Sequence, residues 1–288
     1  MTDYKNLIDG EMVDNGEWLE VLNPANEQVV GRVPAAGKDE LDRAVAAARR
    51  AFKTWKKTSH EERQQVVQGI AAAIKENADE LFRLLTTEQG KPHAQAQQEI
   101  YGAAGLAAAQ STLTLDDVVN QDDDTRLSRT RRVPVGVVGG IVPWNFPIMM
   151  AIQKIVPALV AGCTIVLKPS PFTPLTTLRI AELIKDVVPA GTVNIITGED
   201  TLGPLITGHP DIDKITFTGS TATGKKIMEG AAGDLKRITL ELGGNDASIV
   251  LPDADVQKVA EQLFWSSFSN AGQVCIAAKR IYIHEDIY

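Results

Sequence analysis

From Val133 onward, short apolar segments alternate with helical ones five times, and this alternation restricts the fold more than any other feature of the chain. "VGVVGGIV" reads as a strand, and "PIMMAIQKIVPALVAG" reads as a helix ended by Gly162. "TIVL" is a second strand, followed by the helix "TPLTTLRIAELIKDVV" with Thr173 as N-cap and Pro174 at its first position. "TVNIIT" precedes a short helix from about Thr201, "KITFT" precedes a helix from about Thr221, and "RITLEL" is the fifth strand. Short apolar strands separated by helices predict an α/β fold with a parallel, doubly wound sheet.

The part before Val133 reads as mostly helical. Leu41, Val45, Ala48 and Phe52 recur at helical spacing. Ser59 with Glu62 forms a capping-box pattern, which opens a helix running to near Gly90. An alanine-rich helix follows from about His93, and the acid-rich stretch around Asp122 to Asp124 reads as a solvated loop. Beyond the fifth strand, "ASIVL" begins a new unit, Asp253 to Asn270 reads as a helix, and "KRIYIHEDIY" reads as a strand and the start of another element. A unit from Gly243 to Tyr288 is small for an independent core, so the chain is expected to be part of a longer one.

Composition narrows the function classes. The net charge is −8, which argues against a nucleic-acid partner. The longest apolar region is interrupted by Gln153, Lys154 and Pro157 and is too short to span a membrane. Two cysteines make no disulfide framework and fit a reducing, cytoplasmic setting. Cys163, inside an apolar run, reads as packing. Cys275, in "SNAGQVCIAAKR", stays open between a packed thiol and a nucleophile.

In open parallel sheets, ligands bind beyond the carboxyl ends of the strands. Residues able to do chemistry fall there: Asn145 after the first strand, Lys168 at the end of the second, and Glu241 within the fifth. Thr218-Gly219-Ser220 opens a helix, where free N–H groups suit an anion. Taken singly, each has a plain structural explanation as a turn, a strand end or a cap. Their convergence on one rim points to a site.

The segments "PWNFP" (143–147), "LKPS" (167–170), "FTGS" (217–220), "LELGG" (240–244) and "GQVC" (272–275) together resemble the NAD(P)-dependent aldehyde dehydrogenase superfamily, in its order and spacing. The resemblance implies a Rossmann-like cofactor domain from residues 1–115 and 134–242, an oligomerisation arm at 116–133, and the start of an α/β catalytic domain at 243–288. It implies Cys275 as nucleophile, Asn145 as oxyanion donor and Glu241 as the base for deacylation. NAD or NADP is expected against Trp144, Lys168, Ser170, Gly198, Thr218, Gly219, Ser220, Leu242 and Gly243. The implied partners are a small aldehyde and further copies of the chain, as a homo-oligomeric dimer or tetramer.

Departures from the family pattern also bear on function. Pro171 stands where NAD-using members often carry a glutamate, which leaves NADP open, and Asn245 stands where lysine is common. No "EIFGP"-type motif is present. Two other readings are a non-catalytic dinucleotide-binding fragment and an enzyme passing its acyl group to coenzyme A or phosphate. The pairing of "PWNFP" with "LELGG" argues against the second, because a deacylating base serves mainly when water is the acceptor.

Overall fold

A computed structural model describes residues 2–288. Four helices between Lys38 and Ser111 carry most of the regular structure of the first part, as expected, but five short strands that the sequence pattern did not show precede the first of them. They are β1 (Thr2–Asp3), β2 (Asn6–Ile8), β3 (Glu11–Val13), β4 (Trp18–Leu22) and β5 (Val29–Pro34). Runs this short carry almost no two-residue periodicity, so the pattern does not register in sequence. β1, β5 and β4 form a small sheet of their own.

Helix α1 (Lys38–Trp55) follows. The single helix expected from Ser59 to Gly90 is two, α2 (His60–Glu76) and α3 (Ala78–Gln89). The capping box is present, with the Ser59 hydroxyl accepting from Glu62 N–H at 3.1 Å and the Glu62 carboxylate accepting from Ser59 N–H at 2.7 Å. The break falls at Asn77, whose side chain donates back to the Ala73 carbonyl at 2.8 Å and so competes with helix continuation. Helix α4 (His93–Ser111) comes next. The expected loop around Asp122 to Asp124 is instead the tip of a hairpin, β6 (Val118–Asp123) and β7 (Arg126–Thr130). Its turn is tied by the Asp123 carboxylate, which accepts from the Thr125 hydroxyl and from the Thr125 and Arg126 amides; these bonds hold its pKa down to about 2.

The predicted alternation then appears as β8 (Val137–Ile141), α5 (Pro147–Val160), β9 (Thr164–Lys168), α6 (Leu175–Ile184), β10 (Val193–Ile195), α7 (Leu202–Gly208), β11 (Lys214–Gly219), α8 (Thr221–Ala232) and β12 (Arg237–Leu242). The sheet order is β12-β11-β8-β9-β10-β2-β3. The first five strands are parallel, as expected, but β2 and β3 extend the sheet antiparallel and make it mixed. Side chains alternate across the sheet: Ile165 and Leu167 join a core built with α2 to α6, while Val166 joins one built with α1, α7 and α8. The order reverses at β8, with β9 on one side and β11 on the other, and this opens a crevice at the carboxyl edge. Beyond it, β13 (Asp246–Val250) and β14 (Ala278–Ile283) pair in parallel around α9 (Val256–Phe268). No helix among the described residues is long and apolar enough to cross a membrane.

Two local devices fix the helices around the sheet. Arg63 donates to the carbonyls of Lys56 and Thr58 at the end of α1 and lies against Gly162 at the end of α5. Gly162 has φ +76°, and a Cβ there would fall 2.6 Å from the guanidinium carbon. Gly162→Ala should therefore destabilise the fold by about 1–2 kcal/mol through the left-handed backbone alone, and more through displacement of Arg63. An unchanged denaturation midpoint would contradict this.

The second device corrects the cap expected at Thr173. Helix α6 begins at Leu175, and the Thr173 hydroxyl instead donates to the Trp144 carbonyl at 3.2 Å. The cap is the distant carboxylate of Glu88, which accepts from the amides of Leu175 at 2.7 Å and Thr176 at 3.0 Å. Burial pushes Glu88 up to about 7, against the pull of those amides. A carboxyl raised in the folded state contributes stability below its unfolded pKa of 4.5 and loses it as pH rises through about 7. Urea unfolding at pH 5 and pH 8 should show a fall in stability that Glu88→Gln flattens; parallel pH profiles would rule the effect out.

Candidate active site

The sheet register brings the rim residues together. Ile141 pairs with Lys168 and with Phe217, and Thr218 pairs with Glu241, so four strand ends share one edge. The loop after β8 carries Trp144 and Asn145 over that edge. A groove of about 560 Å³ runs along it, lined by Trp144, Lys168, Ser170, Thr218, Gly219 and Ser220.

Within the groove, α8 points its N-terminus inward, capped by the Ser220 hydroxyl on Thr223 N–H at 3.2 Å. Unpaired amides and the helix dipole favour an anion there. Gly219 has no room for a Cβ, which would sit 2.4 Å from the Phe217 ring. Lys168 is 3% exposed, donates to the Pro169 carbonyl at 3.2 Å, and is pushed down to about 8 by burial, with Asp200 opposing. Three of the nominated cofactor residues lie outside the lining of the groove. Gly198 is buried against the Ala36 carbonyl, Leu242 packs over Gly224, and Gly243 is exposed past the end of β12. For Gly198 and Leu242 the observed contacts are packing.

Asn145 reaches the other loop. Its side-chain amide donates to the Gln273 carbonyl at 2.8 Å, two residues before Cys275. Cys275 is free and exposed, whereas Cys163 is buried and accepts from Val135 N–H at 3.3 Å, in keeping with a packing role. Glu241 is exposed on the edge strand β12.

Some residues of this region escape the motifs. Lys154, buried on α5, donates to the hydroxyls of Thr218 at 2.8 Å and Thr216 at 3.3 Å. Burial pushes it down to about 8, opposed by the nearby Glu241 carboxylate. Its signal was visible as a lone charge inside an apolar helix. Thr223 and Lys226 line the groove from α8, but nothing in sequence marks them apart from other polar helix residues.

The model of the aldehyde dehydrogenase family matches residues 12–288. The chain belongs to the aldehyde dehydrogenase family. Among its aldehyde dehydrogenase relatives, a Pseudomonas sp. protein named "Probable aldehyde dehydrogenase" is 46% identical over 99% of this chain and 58% of its own length. The NADP(+) succinate-semialdehyde dehydrogenase of Escherichia coli is 43% identical over 98% of this chain and 60% of its own. Betaine aldehyde dehydrogenase from Staphylococcus aureus, solved in complex with NAD+, superposes with a TM-score of 0.94 at 36% identity, covering 99% of this chain and 59% of that one. The chain thus spans about three fifths of the length of these aldehyde dehydrogenases.

Proposed function

We propose that the protein oxidises an aldehyde to a carboxylic acid with NAD or NADP as hydride acceptor. Residues 1–115 and 134–242 would hold the cofactor, and 243–288 would begin the catalytic part. The groove suits a dinucleotide: a helix N-terminus and Ser220 for phosphate, buried Lys168 for a sugar hydroxyl, and Gly219 for close backbone approach. When bound there, the nicotinamide supplies the hydride acceptor. The relatives named for NADP(+) and NAD+ support either form.

The chain's own groups divide the remaining work. The Cys275 thiolate attacks the aldehyde carbon and forms a thiohemiacetal. The Asn145 amide and the Cys275 backbone N–H donate to the oxygen as it gains charge. After oxidation to a thioester, Glu241 takes a proton from water, which attacks the acyl carbon and releases acid and thiolate. The observation carrying this proposal is the Asn145–Gln273 bond, which joins the loop after β8 to the loop that holds Cys275. Homo-oligomerisation through the β6–β7 hairpin belongs to the same proposal, supported by its exposed Val118, Val119 and Leu127.

A second reading, cofactor binding without turnover by these 288 residues, is favoured by the exposure of both Cys275 and Glu241. Titration with NADH and NADPH, alongside absorbance at the nicotinamide band with an aldehyde panel, separates the two. Binding with turnover supports oxidation, binding alone supports the second reading, and neither rejects both.

A further inference from the structure

Beneath the loop bearing Asn145 lies an ion pair with no exposed side-chain surface. Lys91 follows the left-handed Gly90 that ends α3, and Glu99 stands in the second turn of α4. Both side chains are 0% exposed, and they are hydrogen-bonded to each other. Burying two charges is strongly unfavourable unless the remaining donors and acceptors are also used. Here they are used on one segment. The Lys91 ammonium donates to the Asn145 backbone carbonyl at 2.7 Å and lies 4.0 Å from the centre of the Phe146 ring. The second oxygen of Glu99 accepts from the amides of Ile148 at 2.9 Å and Met149 at 3.1 Å, capping α5.

One turn earlier on the same helix, Gln95 accepts from the backbone N–H of Asn270 at 2.9 Å. Asn270 and Ala271 are left-handed without being glycine, at φ 50° and 56°, a conformation that needs outside support. Asn270 is buried, and its side chain donates to the same Asn145 carbonyl at 3.3 Å. Helix α4 and its preceding turn therefore grip both loops of the candidate site. The Asn145 amide carries two hydrogens, one of which goes to Gln273. The direction of the other follows from the backbone at Asn145, whose carbonyl Lys91 and Asn270 hold and whose following helix Glu99 caps.

We propose that Lys91, Glu99 and Gln95 are positioning residues that set the free Asn145 N–H relative to Cys275. This rests on the assignment of Asn145 and Cys275 given above. A pair that served the fold alone could be exchanged for uncharged side chains without touching the chemical step. A positioning pair acts through Asn145, so its effect vanishes when Asn145 is gone.

The test is a cycle of kcat and KM on the wild-type protein, Lys91→Met/Glu99→Gln, Asn145→Ala, and the three changes combined. The paired change should lower kcat by about 10- to 100-fold, with the KM for cofactor unchanged. Asn145→Ala should lower kcat by about 10²- to 10³-fold, and adding the paired change should then cost less than about twofold. Wild-type kcat in the paired variant, or a loss that multiplies fully onto Asn145→Ala, overturns the positioning role. Wild-type kcat in Asn145→Ala instead overturns the oxyanion assignment beneath it. If the paired variant does not fold, Gln95→Ala leaves the ion pair in place and takes over. It should lower kcat several-fold in the wild type and not in Asn145→Ala; an unchanged kcat overturns the proposal.

Discussion

Cys275→Ala is expected to reduce aldehyde turnover by on the order of 10⁴-fold or more, the scale seen when a covalent nucleophile is removed. NADH or NADPH binding should be unaffected. The contrast follows from position: Cys275 is exposed in the loop before β14, while the groove is lined from β8, β9, β11 and α8. The thiol supports no core packing, so its loss removes chemistry without a cavity. Substitution of Cys163, which is 4% exposed, should instead lower stability and leave the rate per folded molecule intact. Turnover by Cys275→Ala at the wild-type rate would eliminate this thiol as the nucleophile.

Glu241→Gln should separate the two halves of the reaction. In the proposed mechanism acylation and hydride transfer use Cys275 and Asn145, so a first-turnover burst of reduced nicotinamide should be retained. Hydrolysis of the thioester needs a base, so steady-state turnover falls by about 10²- to 10⁴-fold. The amide keeps the shape of the side chain on β12, next to Thr218 in the register, and should leave the groove unchanged. Rapid-mixing absorbance reads both phases. A burst and a steady state both equal to wild type would move the base elsewhere, and loss of the burst as well would place Glu241 in the acylation step.

Much of the site is legible from residue types and order. Strands rich in Val and Ile, helices with apolar stripes, and polar residues at strand ends are local signals, and they put Asn145, Lys168 and Glu241 on one edge before any coordinates. Other features are not local. The cap on α6 comes from Glu88, 87 residues from Leu175, so the nearer Thr173 was the better guess from sequence. Strand β2 pairs with the edge that β10 offers and β3 pairs in turn with β2, while their own three-residue runs carry no pattern. Gly198 reads as a cofactor contact by its place after β10, yet its surroundings are Ala36 and Leu202.

By itself, the sequence determined which strands and helices form the parallel sheet, and its resemblance to the aldehyde dehydrogenase family nominated Cys275, Glu241 and Asn145 as nucleophile, base and oxyanion donor. The sheet follows from periodicity and caps, which are local; the roles follow from the motifs in their order along the chain. Only the tertiary structure decided how the chemistry is held. Lys91 reaches Asn145 across 54 residues, Gln95 reaches Asn270 across 175, and Asn145 reaches Gln273 across 128. Such bonds form only after the sheet and helices have brought distant loops into contact. Burial then makes the Lys91 bond matter most, because a charge inside the fold has no water to turn to.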